Sequence, residues 1–229
     1  MIGIIVPLIQ EASVFKIKKN KTKRPVKISD NLLLFVSGVG MKNATRAVEI
    51  LAPKVSHLIS WGTAAGLSRH LKPGDLLLPD LIIDKNRTQY KTDPDFKNKM
   101  AALLPNDLSY ESGLLCESTN ILKEAEEKEE LGKKYNATAC DMESATIAKL
   151  ADQKGISFNA IRFISDDYST PIPKSVYLSI NEEGDFIIGK FLFYLISNPR
   201  DIYQIIRLAK NFGKAKKTML ELKKVLLKY

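Results

Sequence analysis

Two acidic residues, Glu143 and Asp166, have the types and positions expected of a catalytic pair. Glu143 begins a helix of small residues in segment 141–148, and Asp166 ends an apolar strand in segment 158–167. The interval between them suits one helix and a returning strand, which would bring both carboxylates to one crevice at a sheet edge. Such a pair can bind sugar hydroxyls and transfer protons. Each residue also has a structural alternative, because a carboxylate is stabilised at a helix N-terminus and an aspartate can cap a turn.

A third carboxylate, Glu11, follows the first predicted strand. Because it comes just beyond the carboxyl end of that strand, Glu11 could enter the same crevice as Glu143 and Asp166. The alternative is an exposed glutamate at the start of a helix. Three acids at three strand ends favour a common site.

Two glycine-bearing turns follow other predicted strands. The first, at 37–40, contains Gly38 and Gly40 and leads into a predicted helix. Glycine lets the backbone approach a ligand, and a helix N-terminus favours an anion. The second turn, at 61–67, consists mostly of small residues, which leave room for a ligand but equally suit tight packing.

Short apolar segments alternate with helical patterns along the chain. Strands are predicted at 2–6, 32–36, 57–61, 75–78, 81–83, 114–116 and 158–164. Helices are predicted at 43–51, 120–135, 142–154, 186–197 and 202–228. The alternation indicates an α/β fold whose sheet is covered by helices, since several strands are almost entirely apolar. The segment 120–135 carries charges of both signs at helical spacing, which predicts an exposed helix without a chemical role.

The composition is that of a soluble globular protein of 229 residues, 45% hydrophobic and 27% charged. Because no Ser/Gly/Pro-rich linker divides the chain, one domain over residues 1–229 is expected. The first residues lack the features of a signal peptide, and the longest apolar run, 186–196, is too short for a membrane span. Cys116 and Cys140 lack metal-site or CxxC spacing and suit a reducing cytoplasm. Two histidines in the whole chain argue against a His-based metal site.

The net charge of +9 raises the question of an anionic partner. The basic residues cluster at 16–24 and at 200–228, the second cluster within a predicted amphipathic helix over 200–229. Neither cluster is interleaved with the aromatic side chains that stack on bases, which argues against nucleic acid. Solvated basic faces are the simplest interpretation, and contact with an anionic membrane surface is the alternative.

Five segments together resemble the nucleoside phosphorylase superfamily, which includes purine nucleoside phosphorylases and methylthioadenosine/S-adenosylhomocysteine nucleosidases. In family order they are the opening strand at 2–5, SGVGMKNA at 37–44, GTAAGL with LKPGD at 62–75, DMESATIA at 141–148 and IRFISD at 161–166. The segments 123–134 and 198–213 resemble hopanoid-associated phosphorylases. That branch is thought to act on adenosylhopane, a lipid-linked adenine nucleoside.

The resemblance implies a three-layer α/β/α sandwich with a central mixed sheet, and an enzyme that cleaves an N-glycosidic bond. Asp166 matches the general acid at the purine, which would need burial and a raised pKa, and Ser165 would orient it. Glu143 matches the glutamate that accepts the ribose hydroxyls and should stay ionised. Arg162 could orient the nucleophile or its acids. The remaining substrate-binding candidates are Met142, Thr63, Ala64 and Ile121. No metal or organic cofactor is implied.

Water and phosphate are the competing nucleophiles. Glu11 matches the glutamate with which nucleosidases activate water, and a carboxylate there would repel phosphate. The resemblance of 198–213 favours phosphate, which Gly38, Gly40 and Arg46 would hold.

The sequence therefore predicts phosphorolysis of an adenine nucleoside, including a lipid-linked one such as adenosylhopane, with inorganic phosphate as co-substrate. Hydrolysis of methylthioadenosine or S-adenosylhomocysteine is the first alternative, and a non-catalytic nucleoside-binding protein is the second. The resemblance also implies a homo-oligomer, with a dimer favoured. A cytoplasmic location is expected, and the basic tail leaves peripheral membrane contact open.

Overall fold

The computed structural model describes residues 1–17, 24–179 and 187–229. Parts of two sequence predictions lie outside these residues. They are most of the basic cluster at 16–24 and the first residue of the helix predicted at 186–197.

The strands form one mixed sheet. Within the described residues they are β1 (Ile2–Val6), β2 (Val26–Ser29), β3 (Leu32–Val36), β4 (His57–Gly66), β5 (Leu76–Leu77), β6 (Leu81–Ile83), β7 (Gln89–Lys91), β8 (Tyr110–Glu111), β9 (Leu114–Glu117), β10 (Ala139–Asp141) and β11 (Ser157–Asp166). They pair in the order β2-β3-β1-β4-β10-β9-β6-β7, and β4 also pairs with β11, which continues through β5 to β8. β1, β3, β4 and β11 run parallel, whereas β2, β5 and β7 each have an antiparallel neighbour. The predicted α/β class with a mixed sheet is confirmed.

The central strands are apolar because both faces of the sheet are covered. β1 is buried at every position, and β4 and β11 are buried along almost their whole length. These strands were predictable from sequence for that reason. The predictions missed β2, β7, β8 and β10, which are short and mix polar with apolar residues.

The helices alternate with the strands. They are α1 (Ile9–Ala12), α2 (Met41–Leu51), α3 (Pro94–Ala102), α4 (Ala125–Tyr135), α5 (Ser144–Gln153), α6 (Lys174–Tyr177), α7 (Ile188–Ser197) and α8 (Asp201–Leu226). The helix predicted from residue 120 begins only at Ala125, because 118–124 form a loop. The start is fixed by a capping box in which the Glu127 carboxylate accepts the backbone N–H of Glu124.

Each face of the sheet is covered by its own pair of longer helices. Side chains of α2 and α5 form one hydrophobic core: Ala44, Ala47, Val48, Leu51, Ala145, Ile147, Ala148 and Ala151. Side chains of α3 and α8 form the core on the opposite face: Phe96, Met100, Ala215, Met219, Leu222, Val225 and Leu226. This is the predicted three-layer arrangement.

The predicted C-terminal helix is present as α8, but only its second half is buried. Exposed apolar side chains lie on α7 and on the first turns of α8: Leu192, Phe193, Ile196, Ile202, Tyr203 and Ile206. Such a surface can meet a membrane or a second copy of the chain. The membrane contact and the dimer stay predictions. No helix of the described residues combines the length and apolar character needed to cross a bilayer.

Candidate active site

The carboxyl ends of the parallel strands lie at one edge of the sheet. β1 leads into the helix that carries Glu11, β3 into the turn with Gly40, and β11 ends at Asp166. β10 ends at this edge too, shortly before Glu143. A cavity of about 220 Å³ opens there. It is lined by Pro7, Leu8, Glu11, Val39, Thr63, Ala64, Ala65, Ser118, Asn120, Ile121, Leu122, Cys140, Asp141, Met142, Glu143, Ser165, Asp166 and Ile172.

The cavity brings together most of the residues predicted for a site. Those in its lining are Glu11, Thr63, Ala64, Ile121, Met142, Glu143, Ser165 and Asp166. A second cavity of about 250 Å³, lined by residues of β7, α5 and the start of β11, contains none of the predicted residues. The first cavity is therefore the candidate active site.

Glu11 is buried and fixed by three hydrogen bonds. Its Oε1 accepts the backbone N–H (2.7 Å) and the hydroxyl (2.8 Å) of Thr63, and its Oε2 accepts the backbone N–H of Leu8 (3.2 Å). Burial raises the pKa of the Glu11 carboxyl, and the bonds from Thr63 and the charge of Arg162 partly oppose that rise. The alternative of an exposed helix-start glutamate is wrong, since Glu11 is 1% exposed.

Gly62 leaves the space that the Glu11 carboxylate occupies. A Cβ at this position would lie 3.0 Å from Glu11 Oε2 and 3.0 Å from Arg162 Nη1. Gly62 lies within β4, which continues to Gly66, so most of the turn predicted at 61–67 is strand instead. The glycine there allows the close approach of two charged side chains.

Glu143 immediately precedes α5. Its Oε1 accepts the backbone N–H of Gly40 at 2.7 Å. Burial, and then the negative charge of Asp141, raise the pKa of Glu143 to about 8, against the opposing effects of Arg162 and the Gly40 N–H. The expectation that Glu143 stays ionised therefore fails for the substrate-free site at neutral pH. The sequence pattern did not reveal that a second carboxylate, Asp141, would lie close enough to raise it.

Arg162 is fully buried and is not part of the cavity lining. Its Nε donates to Asp141 Oδ2 (2.6 Å), and its Nη2 donates to the hydroxyls of Ser60 (2.5 Å) and Ser144 (2.9 Å). Its Nη1 has no hydrogen-bond partner among the described residues. The guanidinium thus balances Asp141 directly, and its charge also lowers the pKa values of Glu11 and Glu143. This favours the predicted role of orienting acids over a role against the nucleophile.

Asp166 is buried at the end of β11, with both carboxylate oxygens engaged. Oδ1 accepts the Ser165 hydroxyl at 2.7 Å, and Oδ2 accepts the Lys128 ammonium at 2.6 Å. An ammonium group at this distance stabilises the charged form of a carboxylate. The expected burial of Asp166 is present, but the sequence prediction did not include a positive charge beside it.

Lys128 is the functional candidate that the sequence interpretation missed. It belongs to α4, which was predicted to be exposed, yet its side chain has no exposed surface. One signal could have revealed it. Leu131 and Tyr135 follow at three and seven residues, on the same face of the helix, and Tyr135 is buried. A lysine on the inward stripe of a helix requires a buried acceptor.

The residues predicted to hold phosphate are not free to do so together. The backbone N–H of Gly38 donates to the Pro7 carbonyl (3.2 Å), and that of Gly40 donates to Glu143. Arg46 is exposed on α2 and does not line the cavity.

Apolar lining residues come from several segments around the cavity. They are Pro7 and Leu8 after β1, Val39 after β3, Ala64 and Ala65 in β4, Ile121 and Leu122 after β9, Met142 after β10 and Ile172 after β11. No aromatic side chain is among the lining residues that the structure describes. A planar base would therefore be held by aliphatic contacts instead of ring stacking.

The raised pKa of Glu143 predicts a pH-dependent stability difference. The group favours its protonated form in the folded state, so its contribution is fully present below pH 4.5 and is lost as pH rises through 8. Glu143→Gln keeps the shape and an acceptor for Gly40 but cannot ionise. We expect the Tm of this variant relative to the parent to increase between pH 6 and pH 9, by about 2–4 °C per kcal/mol of difference. Calorimetry of both proteins without nucleoside measures this, and a constant Tm difference would contradict it.

The family model of the phosphorylase superfamily matches residues 26–186. The chain belongs to the phosphorylase superfamily. A relative within it is the 5'-methylthioadenosine/S-adenosylhomocysteine nucleosidase of Buchnera aphidicola subsp. Baizongia pistaciae, 30% identical over 72% of this chain and 77% of its own length. The corresponding nucleosidase of Buchnera aphidicola subsp. Acyrthosiphon pisum is 25% identical over 76% of this chain and 83% of its own length.

Solved structures share the fold of this phosphorylase-superfamily chain. The nucleosidase from Neisseria meningitidis in complex with methylthio-immucillin-A superimposes with a TM-score of 0.71 and 17% identity, over 100% of this chain and 99% of the other. The futalosine hydrolase of Helicobacter pylori superimposes with a TM-score of 0.68 and 17% identity, over 99% and 97% of the two chains. The chain is thus an enzyme of nucleoside chemistry, a phosphorylase or an N-ribosyl hydrolase.

Proposed function

We propose that this protein hydrolyses the N-glycosidic bond of an adenine nucleoside, with water as the nucleophile. The observation that carries the proposal is the carboxylate of Glu11, buried in the cavity and fixed by Thr63 and Leu8. A carboxylate can take a proton from water, whereas it would repel a phosphate anion.

The surroundings of Glu11 also favour water over phosphate. A phosphorylase needs several N–H groups or cations directed at the anion. Here the Gly40 N–H is used by Glu143, the Gly38 N–H by Pro7, and Arg46 lies outside the lining. The phosphorolysis predicted from sequence is therefore less well supported than its hydrolytic alternative.

The three carboxyls act on different parts of the reaction: Glu143 on the sugar, Asp166 on the base and Glu11 on the water. Glu143, once it has lost its proton, accepts the ribose hydroxyls and stabilises the positive charge that develops on the ring. Asp166 delivers a proton to N7 of the purine, so that the base leaves neutral as the bond to C1′ breaks. Water adds to C1′ and gives its proton to Glu11. Ser165 holds the Asp166 carboxyl in place.

The names of the relatives support this substrate class. The matched Buchnera proteins are methylthioadenosine/S-adenosylhomocysteine nucleosidases, and both of those nucleosides carry adenine. The resemblance of the C-terminal segment to hopanoid-associated phosphorylases leaves adenosylhopane as a further candidate, which the same assay includes.

The proposal predicts adenine release in phosphate-free buffer. Adenosine, methylthioadenosine, S-adenosylhomocysteine and adenosylhopane are each incubated with the protein, and adenine and the sugar product are quantified. We expect a free sugar that carries ¹⁸O when the reaction is run in H₂¹⁸O, at a rate that added phosphate does not change.

Two outcomes would contradict the proposal. Release that requires phosphate and yields a sugar 1-phosphate would establish phosphorolysis. Nucleoside binding without any release, with Asp166→Asn indistinguishable from the parent protein, would establish a binding protein.

A further inference from the structure

We propose that Lys128 is a positioning residue that supplies the proton which Asp166 passes to the departing base. The inference rests on the proposed function, because it concerns the acid step of that reaction. Protonation of the base is thereby assigned to two side chains, Lys128 from α4 and Asp166 from β11, and Asp166 is the one that faces the cavity.

The Lys128 ammonium is held at one point in space. A lysine has three N–H donors, and here all three have acceptors: Asp166 Oδ2 (2.6 Å), the Asp167 carbonyl (2.8 Å) and the Thr170 carbonyl (2.8 Å). The side chain has no exposed surface. A charge withdrawn from water to this extent is costly to bury, and a pair of this kind is weak support for a purely stabilising role.

Lys128 cannot reach the substrate itself. Asp166 lines the cavity and Lys128 does not. The two carbonyls that complete the ammonium contacts belong to Asp167 and Thr170 in the segment directly after β11, and neither residue is in the cavity lining. Any effect of Lys128 on the reaction must therefore pass through Asp166.

The pair as a whole carries one proton that it can give away. The Lys128 ammonium first passes a proton to the Asp166 carboxylate, so that Lys128 becomes a neutral amine and Asp166 a carboxylic acid. As the bond between C1′ and N9 breaks, its electron pair moves to the base, and N7 takes that proton from Asp166. Glu11 meanwhile takes the proton of the attacking water, and exchange with solvent returns that proton to Lys128 after the products leave. No proton or electron is left over.

Because it pairs with Lys128, Asp166 has a different charge partner from the other carboxyls of the site. The titratable groups near it are the Cys140 thiol on β10, Asp167 with its partner Arg207 on α8, and three carboxyls that line the same cavity, Glu11, Asp141 and Glu143. Of these, the Cys140 thiol stays protonated, because its contact with Cys116 and its burial raise its pKa. Lys128 is thus the cation in direct contact with Asp166, while Arg162 is committed to Asp141.

A proton supplied by Lys128 predicts the direction in which the pH profile of kcat/KM moves when Lys128 is replaced. Activity requires the pair of Lys128 and Asp166 to hold one proton, and the contact between the two side chains gives that proton two sites. In Lys128→Met, Asp166 alone has to hold that proton. We expect the basic limb to move to lower pH and the maximum rate to fall by about 100-fold.

A control variant separates this effect from the loss of a buried lysine. Lys97 on α3 is also buried, its ammonium contacts the exposed Asp80 carboxylate and the Ser112 hydroxyl, and none of these residues lines the cavity. Lys97→Met should lower the Tm but leave both limbs of the profile unchanged.

A double-variant comparison keeps the test valid if Lys128→Met unfolds. Lys128→Met/Asp166→Asn removes both charges and is compared with Asp166→Asn alone. We expect the two to agree in kcat within about 3-fold, because a residue that acts through Asp166 has nothing further to contribute. An equal loss from Lys128→Met in both backgrounds, or an unmoved basic limb in the single variant, would show that Lys128 is structural only. An inactive parent protein would instead overturn the proposed function, and this inference with it.

Discussion

Asp166→Asn is expected to lower kcat for adenine release by about 1,000-fold, in the middle of the range of about 100- to 10,000-fold that general acid catalysis contributes. The amide keeps the size of the side chain, but it offers one acceptor oxygen where the Ser165 hydroxyl and the Lys128 ammonium used two, so one of these hydrogen bonds is lost. It has no proton acidic enough to give to N7. The base would then have to depart as an anion, which raises the barrier to breaking the bond to C1′. Nucleoside affinity should stay within a few-fold of the parent, since the cavity is unchanged.

The choice of leaving group distinguishes this explanation from general damage to the site. p-Nitrophenyl ribofuranoside releases a stable anion and needs no proton, so Asp166→Asn should cleave it at a rate close to that of the parent. Adenosine cleavage is measured beside it, with binding measured by calorimetry. Loss of both activities by the same factor would mean that asparagine has distorted the cavity and that Asp166 is not the acid.

The stability of the same variant provides an independent check. Asp166→Asn leaves the Lys128 ammonium buried without its counter-charge, which is destabilising. Adding Lys128→Met should recover part of the lost stability but none of the lost activity. Recovery of activity would place the acid elsewhere.

The sequence was sufficient for the sheet and for most of the cavity lining. β1 and β3 are continuous apolar runs, and β4 and β11 contain shorter apolar runs, because helices cover the faces of the sheet; such runs are visible without a structure. Acids placed just beyond those runs, such as Glu11 and Asp166, must then meet at one edge. Local pattern and strand direction together determine this, and neither depends on side-chain packing.

The charge states of the acids could not be predicted in the same way. Glu143 and Asp166 were expected to be an ionised anchor and a protonated acid. In the structure, Asp141 and burial raise the pKa of Glu143, whereas Lys128 lies against Asp166. Lys128 lies 38 residues from Asp166 in the chain. Asp141 lies only two residues before Glu143, but its effect on Glu143 accompanies the burial of both carboxylates, which the spacing does not show. Sequence spacing gives the side of the sheet on which a residue lies, but the partner of a buried charge depends on how α4 packs there.

In the substrate-free site, the two carboxyls that must be ionised for catalysis are ones whose pKa values are raised. Glu143 must ionise to accept the ribose hydroxyls, and Glu11 must be ionised to accept a proton from water. Burial raises the pKa of both. Catalysis by the free protein should consequently increase with pH as these groups lose their protons. At the pH at which Glu11 and Glu143 are ionised, a proton for the base must still be available. The pair of Lys128 and Asp166 keeps that proton, because its charge partners differ from those of Glu11 and Glu143.

Glu11→Gln is expected to lower kcat for hydrolysis by about 1,000-fold, because an amide cannot accept the proton of the attacking water. The amide oxygen can still accept from Thr63, but the NH₂ group then meets the Leu8 N–H, so one hydrogen bond is lost. KM should change by only a few-fold. Phosphate should not restore activity, since no anion site replaces the lost carboxylate.

The pH profile of the residual Glu11→Gln activity identifies the lost group. In the parent, two carboxyls must lose protons, so log(kcat/KM) should rise with pH on the acid side with a limiting slope near 2. Without Glu11 only the ionisation of Glu143, with a pKa of about 8, remains, and the slope should fall to about 1. Glu143→Gln should lose the other ionisation instead, which makes it the control. A slope that stays near 2 in Glu11→Gln would mean that a different residue activates the water. Glu11 would then no longer support water over phosphate as the nucleophile.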